Sequence, residues 1–274
     1  MMSKEFSTIQ SAVDAIRRGE VIIVLDAEDR ENEGDFICAA ELANSETINF
    51  MLSGRGQLCC PILPATCDRL NLKPVVDNNN APLQTAFLTP VDFAGCKTGI
   101  TAQERTETIR RLASSTSTAS DFVRPGHVSP LLAREGGVRR RAGHTEAAVD
   151  LPRMAGLAPA GVLTEILDSS GDRATRDALL DLAQRHGLEI ITIEQLIAHR
   201  RVNEKLVARS PQAHLPSKLG EFEVIVYDVQ YETQEPIAIL LGDLMDPSLN
   251  PPLVRMHSSC FTGDLLQSLR CDCG

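Results

Sequence analysis

Tryptophan is absent from the 274 residues of this chain, and aromatic residues make up only 4 % of it. Any core must therefore be built mainly from aliphatic side chains, and an apolar content of 43 % is enough to supply one. Long apolar runs are also lacking, because no segment reaches the roughly 18 consecutive apolar residues that indicate a membrane-spanning helix. We therefore expect no membrane partner.

Positive charge is scarce as well. The chain has 27 Lys and Arg against 37 Asp and Glu, which gives a net charge of -10. A protein that binds nucleic acid generally needs a basic surface that displaces counterions. The composition therefore argues against a nucleic-acid partner, although it leaves room for a local basic pocket that binds one phosphorylated metabolite.

A secretory signal is not recognisable in residues 1–20, which lack its apolar segment and predict a helix instead. Ser7 and Gln10 fit a capping box, and Gly19 fits the helix end. The eight cysteines are Cys38, Cys59, Cys60, Cys67, Cys96, Cys260, Cys271 and Cys273. The first five show no small disulfide framework, so we expect reduced thiols and a cytoplasmic location.

Short apolar runs alternate with helical patterns along the first two thirds of the chain. Strands are predicted at residues 21–25 (VIIVL), 57–63 (QLCCPIL), 148–151 (AVDL) and 188–193 (LEIITI). Residues 177–187 predict a helix closed by Gly187, and Thr192 with Gln195 suits the capping box of another. This alternation predicts an α/β (α+β) fold, in which a mixed β-sheet is covered by helices on both sides.

The pattern changes after residue 203. Residues 203–220 are polar, contain two prolines and predict a linker, whereas residues 221–229 and 236–244 predict further strands. We therefore divide the chain into a domain at residues 1–205 and a partial second α+β domain at residues 206–274. The second is near the lower size limit for independent folding.

Residues 26–35 read DAEDRENEGD and follow the first predicted strand directly. The six carboxylates are Asp26, Glu28, Asp29, Glu31, Glu33 and Asp35. A solvated acidic turn is one interpretation. A calcium loop of the EF-hand type is excluded, because its twelfth position falls on Ala40 instead of Glu. The third interpretation is a metal-assisted active site, because Mg²⁺ prefers one or two carboxylates together with substrate and water.

The pattern R-x-G-H occurs twice, at residues 124–127 and 141–144, on either side of a basic segment. The arginines are suited to binding phosphate, and each histidine follows a glycine, so we expect it to project from a turn. A lone histidine is more often structural or exposed. Glu165 follows a short apolar run and is either another site carboxylate or a helix-cap or surface residue.

Together the segments DRENEGD, RPGH, RAGHTEAAVDL and GVLTEI resemble the 3,4-dihydroxy-2-butanone 4-phosphate synthase family of riboflavin biosynthesis. The resemblance extends over residues 5–202. It implies a lyase that converts D-ribulose 5-phosphate to L-3,4-dihydroxy-2-butanone 4-phosphate and formate. It also implies two Mg²⁺ or Mn²⁺ ions per site and a homodimer with sites near the subunit interface.

The same resemblance implies residue roles. Metal binding falls to Glu31 and His144, and catalysis to His127 and Glu165. Substrate contacts fall to Arg30, Glu31, Asp35, Arg141, Ala142, Gly143, His144, Thr145 and Glu165. Two positions depart from the family pattern: Ser129 stands where an aromatic residue is expected, and Gln57 where an apolar one is.

Residues 255–274 resemble the zinc-binding region of GTP cyclohydrolase II. By this resemblance Cys260, Cys271 and Cys273 ligate zinc and residues 255–259 contact GTP, although Ser259 stands where Glu is expected. Three thiolates leave one position of a tetrahedral site open, as catalytic zinc requires. Incidental thiols are the alternative.

Three functions therefore compete: a lyase with a truncated cyclohydrolase-like extension, a bifunctional enzyme of which this is a part, and a non-catalytic metal-binding scaffold. Formate release from ribulose 5-phosphate separates an enzyme from a scaffold. The length of the natural reading frame separates a bifunctional enzyme from a truncated one.

For the 274-residue chain we expect zinc uptake without conversion of GTP. The three thiolates can hold zinc, but purine ring opening also needs groups for the base and triphosphate. In the resembling family those groups follow the RCDCG segment. Zinc content and GTP consumption of the purified chain test this, and sustained release of formate from GTP would contradict it.

Overall fold

The computed structural model describes residues 6–231, 234–242, 251 and 253–271. It divides into two compact units, Met1–Lys205 and Leu206–Gly274.

The first unit is built on a seven-stranded sheet. Its strands are β1 (Ile22–Leu25), β2 (Gly34–Ala39), β3 (Cys59–Ile62), β4 (Val91–Phe93), β5 (Phe122–Leu132), β6 (Gly161–Glu165) and β7 (Ile190–Thr192). They lie in the order β4-β5-β3-β6-β2-β1-β7. The β3–β5 and β1–β7 pairs are parallel and the other neighbours are antiparallel, so the sheet is mixed, as predicted.

Seven helices cover the sheet. They are α1 (Ile9–Arg17), α2 (Ser45–Leu52), α3 (Pro64–Arg69), α4 (Ala102–Ala113), α5 (His144–Met154), α6 (Arg176–His186) and α7 (Ile193–Asn203). Ile23 and Leu25 of β1 pack in a core with residues of α2, α4 and α6, whereas Ile22 and Val24 pack with α1, α5 and α7. The prediction of helices on both faces is confirmed. Burial on both faces also explains why β1 reads as an uninterrupted apolar run.

Several local predictions agree with the structure. The capping box of Thr192 and Gln195 begins α7, and Gly187 ends α6 in the left-handed conformation. The cap of α1 was misplaced by one residue, because Thr8 accepts the hydrogen bond from the backbone N–H of Ser11 at 3.1 Å. The hydroxyl of Ser7 instead accepts from Ile190 at 3.1 Å and ties the chain to β7.

Two structural predictions were wrong. Residues 148–151 form part of α5 instead of a strand, because a short apolar run cannot distinguish a strand from a helix that is buried. Residues 124–127 lie within β5 instead of a turn. The second R-x-G-H segment does precede an element boundary, since Gly143 is the N-cap of α5 and His144 its first residue.

The linker prediction was also wrong. Residues 203–220 contain β8 (Val207–Arg209) and β9 (Ala213–Ser217), which pair with β10 (Gly220–Val229), and β10 pairs with β11 (Ile237–Leu240). The residues of β8 and β9 are exposed, so they lack the apolar alternation that reveals a strand. Residues 221–229 and 237–240 are strands, as predicted. A π-helical turn at Phe261–Leu265 follows in this unit.

A buried ion-pair network holds the segment that leads into α5. Arg200 of α7 is 1 % exposed, pairs with Asp150 of α5 and donates to the carbonyl of Gly136 at 3.0 Å. Asp150 also accepts from the backbone N–H of Val138 at 2.8 Å and from Arg153 at 2.8 Å. Helix α7 and helix α5 are thereby joined to the backbone just before residues 141–144.

Arg200→Met should lower the free energy of unfolding by about 3 kcal/mol, the lower end of the range for removing one partner of a buried ion pair. Arg153 still pairs with Asp150, which limits the loss. Urea denaturation at pH 7 measures it. Arg201→Met on the exposed side of the same helix is the matched control, and equal stability of the two variants would refute the structural role of Arg200.

Candidate active site

A polar cavity of about 130 Å³ lies where β1 ends and α5 begins. Its lining residues are Arg30, Glu31, Glu33, Asp35, Cys59, Thr85, Phe87, Leu131, Arg141, His144, Thr145, Leu163 and Glu165. Residues from distant parts of the sequence therefore meet at one end of the sheet. Most of the predicted site residues are among them.

Asp26 organises the acidic loop. Its buried carboxylate accepts hydrogen bonds from the backbone N–H groups of Glu31 at 3.0 Å and Glu33 at 2.9 Å, and from Arg30 at 2.9 Å. The loop is thus an ordered structure with its side chains directed by one carboxylate, and the solvated-turn interpretation does not describe it.

His144 connects the acidic loop to α5. Its Nε2 lies 3.1 Å from the carbonyl oxygen of Val24, which can only accept, so Nε2 carries a proton. The other ring nitrogen, Nδ1, faces the carboxylates of Glu31 at 3.4 Å and Asp35 at 3.8 Å. Burial lowers the pKa of His144, but the charge of Asp35 and the hydrogen bond to Glu31 outweigh it and raise the pKa to about 9.

Two carboxyl groups next to His144 shift in opposite directions. Burial alone would raise the pKa of Glu31, yet the hydrogen bond with His144 and the charge of Arg30 lower it to about 2. Burial raises the pKa of Asp35 to about 7, against the opposing charge of His144. Of these two groups, Glu31 is therefore ionised near neutral pH, whereas Asp35 exchanges its proton there.

Glu165 lies opposite Asp35, because the two residues are register partners on β6 and β2. Its Oε2 accepts from the backbone N–H of Gln57 at 2.7 Å. The two departures from the family pattern contact each other behind it: Nε2 of Gln57 donates to Oγ of Ser129 at 2.8 Å.

Arg141 is held by the buried carboxylate of Glu146, at 2.7 Å, and by the carbonyl of Leu83, at 3.1 Å. Gly143 lies between Arg141 and Arg30: a Cβ at this position would overlap the guanidinium of Arg141 and come within 2.9 Å of that of Arg30. Two guanidinium groups therefore flank the first turn of α5, whose N–H groups already favour an anion.

His127 does not line this cavity. Its side chain is 43 % exposed, and its Nδ1 lies 2.7 Å from the carboxylate of Asp92 on β4. The structure therefore brings together Glu31, Asp35 and Glu165 with the R-x-G-H segment at 141–144, and places the other R-x-G-H histidine elsewhere on the same subunit.

The donor atoms of Asp26, Glu31 and His144 lie within 4.8 Å of one another and are suited to a divalent cation. Both oxygens of Asp26 already accept N–H groups, so Glu31 and His144 are the better ligands. The buried Oδ1 of Asp35 has no hydrogen-bond partner within the described residues. This unsatisfied oxygen beside an imidazole and a carboxylate fits a site built to receive a cation or a substrate hydroxyl.

In the second unit Sγ of Cys260 lies 3.4 Å from Sγ of Cys271. The predicted third zinc ligand, Cys273, lies outside the described residues. Asp264 accepts from His257 at 2.8 Å and from the backbone N–H of Cys260 at 2.7 Å, which orders the turn that carries the first thiol.

Residues 10–199 match the family model described as 3,4-dihydroxy-2-butanone 4-phosphate synthase. The chain belongs to this family. Residues 208–274 match the model described as GTP cyclohydrolase II. The riboflavin biosynthesis proteins RibBA of Bacillus cereus (strain ATCC 14579) and Bacillus subtilis (strain 168) are each 47 % identical over 270 residues, which cover 98 % of this chain and 68 % of each relative.

Solved structures of the synthase family have the same fold. RibBX, a two-domain 3,4-dihydroxy-2-butanone 4-phosphate synthase from A. baumannii, matches with a TM-score of 0.80 at 41 % identity, covering 86 % of this chain and 70 % of that one. A synthase in complex with two magnesium ions matches with a TM-score of 0.70 at 38 % identity, covering 72 % of this chain and 98 % of that one.

These similarities confirm the family resemblance and identify this synthase as an enzyme of riboflavin biosynthesis, so the scaffold interpretation was wrong. The magnesium-bound relative and the acidic cluster here together indicate the use of divalent metal ions. Within the described part of the synthase, helices that combine the length and apolarity needed to cross a membrane are not found.

Sequence reasoning missed the residues that hold the site residues in place. Asp26, Asp92, Glu146 and Asp150 were not singled out as site residues. Each is a buried carboxylate that binds backbone N–H groups. The available signal was weak: an acid inside an otherwise apolar strand for Asp92, and two acids four residues apart on the apolar helix α5.

Proposed function

We propose that this synthase converts D-ribulose 5-phosphate to L-3,4-dihydroxy-2-butanone 4-phosphate and formate. The observation that carries the proposal is one cavity that combines Glu31, Asp35, His144 and Glu165 with the phosphate-binding groups at Arg141. The two products together contain the atoms of the substrate, so the reaction needs no external oxidant or reductant. A cytoplasmic location, with its soluble sugar phosphates, suits this reaction.

We assign metal binding to Glu31 and His144. Each site would hold two Mg²⁺ or Mn²⁺ ions. Bound divalent ions would stabilise the negative charge of an enediolate formed next to the ketone. Nδ1 of His144 is the ring nitrogen that we assign as the ligand, because Nε2 is committed to the carbonyl of Val24 at 3.1 Å. At neutral pH a pKa of about 9 leaves a proton on Nδ1, which His144 would lose on binding a cation. The low pKa of Glu31, about 2, keeps this ligand ionised at every physiological pH.

The phosphate group is assigned to the first turn of α5. Arg141 supplies a guanidinium, and residues 142, 144 and 145 supply backbone N–H groups, because the N–H of Gly143 already donates to the carbonyl of Arg141 at 2.8 Å. Arg30 flanks the same turn through its approach to Gly143. Charge-assisted hydrogen bonds of this kind fix a phosphate strongly. The sugar chain then extends from α5 toward Glu31, Asp35 and Glu165, where its hydroxyl groups would be bound.

Proton transfer is assigned to Glu165 and His127, with Asp35 as a further exchanging group. Glu165 is held by the backbone N–H of Gln57 at 2.7 Å, so its orientation is set before substrate binds. Asp35, with a pKa of about 7, changes protonation near neutral pH, as a general acid or base should. The rearrangement needs protons moved between adjacent carbons, and Asp35 and Glu165 are neighbours in the cavity where this would occur.

The location of His127 supports a homodimer. It lies outside the cavity that contains Glu165, and its side chain is 43 % exposed. Both residues can act on one substrate if His127 of one subunit reaches the cavity of its partner. A two-fold axis would then complete two identical sites.

A second activity is proposed for the remainder of the chain. Residues 208–274 match GTP cyclohydrolase II, and two of the three predicted zinc ligands, Cys260 and Cys271, have their sulfur atoms 3.4 Å apart. We assign residues 1–205 to the synthase and residues 206–274 to a cyclohydrolase-like domain that binds zinc. In a longer natural chain the two would form a bifunctional enzyme.

Formate release from ribulose 5-phosphate with and without Mg²⁺ tests the synthase assignment directly. Metal-dependent formation of equal amounts of formate and four-carbon product is expected. Absence of formate at saturating Mg²⁺ would refute it.

Glu31→Gln should abolish Mg²⁺-dependent turnover without unfolding the protein, because the side chain keeps its size and loses the charge that binds metal. Glu28→Gln, an exposed position in the same loop, is the matched control and should behave as wild type. Turnover is measured at limiting Mg²⁺, and the melting temperature is measured in parallel. Normal activity of the Glu31 variant at limiting metal would exclude the ligand role.

His127→Asn and Glu165→Gln should each lower kcat by about 100- to 10,000-fold with little change in melting temperature, as expected for the loss of a general acid or base. A variant that unfolds yet keeps its activity per folded molecule would show a structural role instead.

Mixing the two variants tests the dimer. If His127 serves the partner's cavity, each hybrid dimer contains one intact site, and equal mixing restores about a quarter of wild-type activity. If each cavity uses its own His127, every site lacks one residue and no activity returns.

A further inference from the structure

Asp92 of β4 makes two contacts with His127. Its Oδ1 accepts from the backbone N–H of His127 at 2.9 Å, and its Oδ2 lies 2.7 Å from Nδ1 of the imidazole. An ionised carboxylate can only accept hydrogen bonds, so the ring nitrogen that faces it carries the proton. Nε2 is then the ring nitrogen with a free lone pair.

The carboxylate of Asp92 is enclosed by backbone. The residue is 5 % exposed, and a Cβ at Gly99 would overlap both of its oxygens. Gly99 has a φ of +84°, which a side chain rarely adopts, so the backbone can cover Asp92 only with glycine at this position. A Cβ at Gly126 would likewise overlap the backbone of β4 next to Asp92.

Helix α4 secures the loop that carries Gly99. Glu104 forms a capping box with Thr101 and accepts from the backbone N–H groups of Lys97 at 2.7 Å and Thr98 at 3.0 Å. The hydrogen bond from Thr98 is the main reason why the pKa of Glu104 is lowered to about 2. The loop that packs against Asp92 is therefore held in place by hydrogen bonds to Glu104.

We propose that Asp92 is a positioning residue for the synthase reaction, which holds the proton of His127 on Nδ1 and directs Nε2 toward the substrate. The proposal rests on the proposed role of His127 in proton transfer. Two hydrogen bonds to one residue fix both the side-chain direction and the tautomer, as a general base requires before the substrate arrives. A purely structural role would need only the contact with the backbone N–H.

The deciding variant is Asp92→Asn, because it separates these two roles. The amide oxygen can still accept from the backbone N–H of His127, so the fold of the β4–β5 pair is retained. The amide NH₂ then faces Nδ1 and can only donate, which favours the tautomer with the proton on Nε2. Nε2 is thereby removed as a proton acceptor.

Asp92→Asn should lower kcat by about 100-fold or more, within the range for loss of a general base, while KM for ribulose 5-phosphate stays within about twofold. In a His127→Asn background it should cause no further loss, because Asp92 acts only through His127. Asp121→Asn, a carboxylate in the turn before β5 that accepts from Thr118 at 2.7 Å, is the matched control and should behave as wild type.

A measurement that needs no turnover decides the tautomer. Imidazole ¹⁵N spectra of the protein, with the His127 signals identified from the His127→Asn variant, should show protonated Nδ1 in the wild type and protonated Nε2 in Asp92→Asn. Identical ring signals in the two proteins, or full activity of Asp92→Asn, would overturn the proposal. If the wild type releases no formate, the proposed function fails, and the ¹⁵N comparison alone decides the role of Asp92.

Discussion

The hydrogen bond between Nε2 of His144 and the carbonyl of Val24, at 3.1 Å, is the contact on which the cavity depends. It joins the first residue of α5 to the end of β1, two elements far apart in the sequence. The acidic loop begins immediately after β1, and the turn to which we assign the phosphate is the start of α5. One contact therefore sets the distance between the proposed metal-binding and phosphate-binding halves of the site.

Several ionisable side chains near that contact are almost completely buried. His144, Asp35 and Glu146 are each no more than 5 % exposed, and such charges are tolerated only with partners. Glu146 has Arg141 and the backbone N–H of Arg134, whereas Oδ1 of Asp35 has no hydrogen-bond partner among the residues that the structure describes. The difference separates a carboxylate that holds its neighbours in place from one to which we assign a substrate contact.

Much of this architecture could be predicted from the sequence. The buried strand β1, the helices α6 and α7 and the mixed sheet follow from periodicity and caps, which are local signals. The strand assignment of residues 148–151 failed because α5 is buried along most of its length, so its apolar pattern has no period. Strands β8 and β9 were missed because their residues are exposed and show no apolar alternation. They are strands because they form hydrogen bonds with β10.

The site was predictable to a similar degree. The resemblance assigned residues of the segments 26–35, 124–127 and 141–144 to one site, and the structure brings together the first and the third of them. What could not be predicted is which acid holds which donor, because Asp26, Asp92 and Asp150 act on backbone N–H groups that carry no sequence signature. The position of His127 outside the cavity likewise depends on how β5 runs past β3, a relation between distant segments.

Helix α5 and the segment that precedes it, residues 134–143, depend on each other for their order. Glu146 and Asp150, one turn apart, bind the backbone N–H groups of Arg134 and Val138, so helix α5 anchors two points of residues 134–143. Order in this segment and attachment of the helix are thus coupled. We expect the part of the cavity lined by Arg141, His144 and Thr145 to be lost as a unit when α5 detaches, instead of deteriorating gradually as individual contacts weaken.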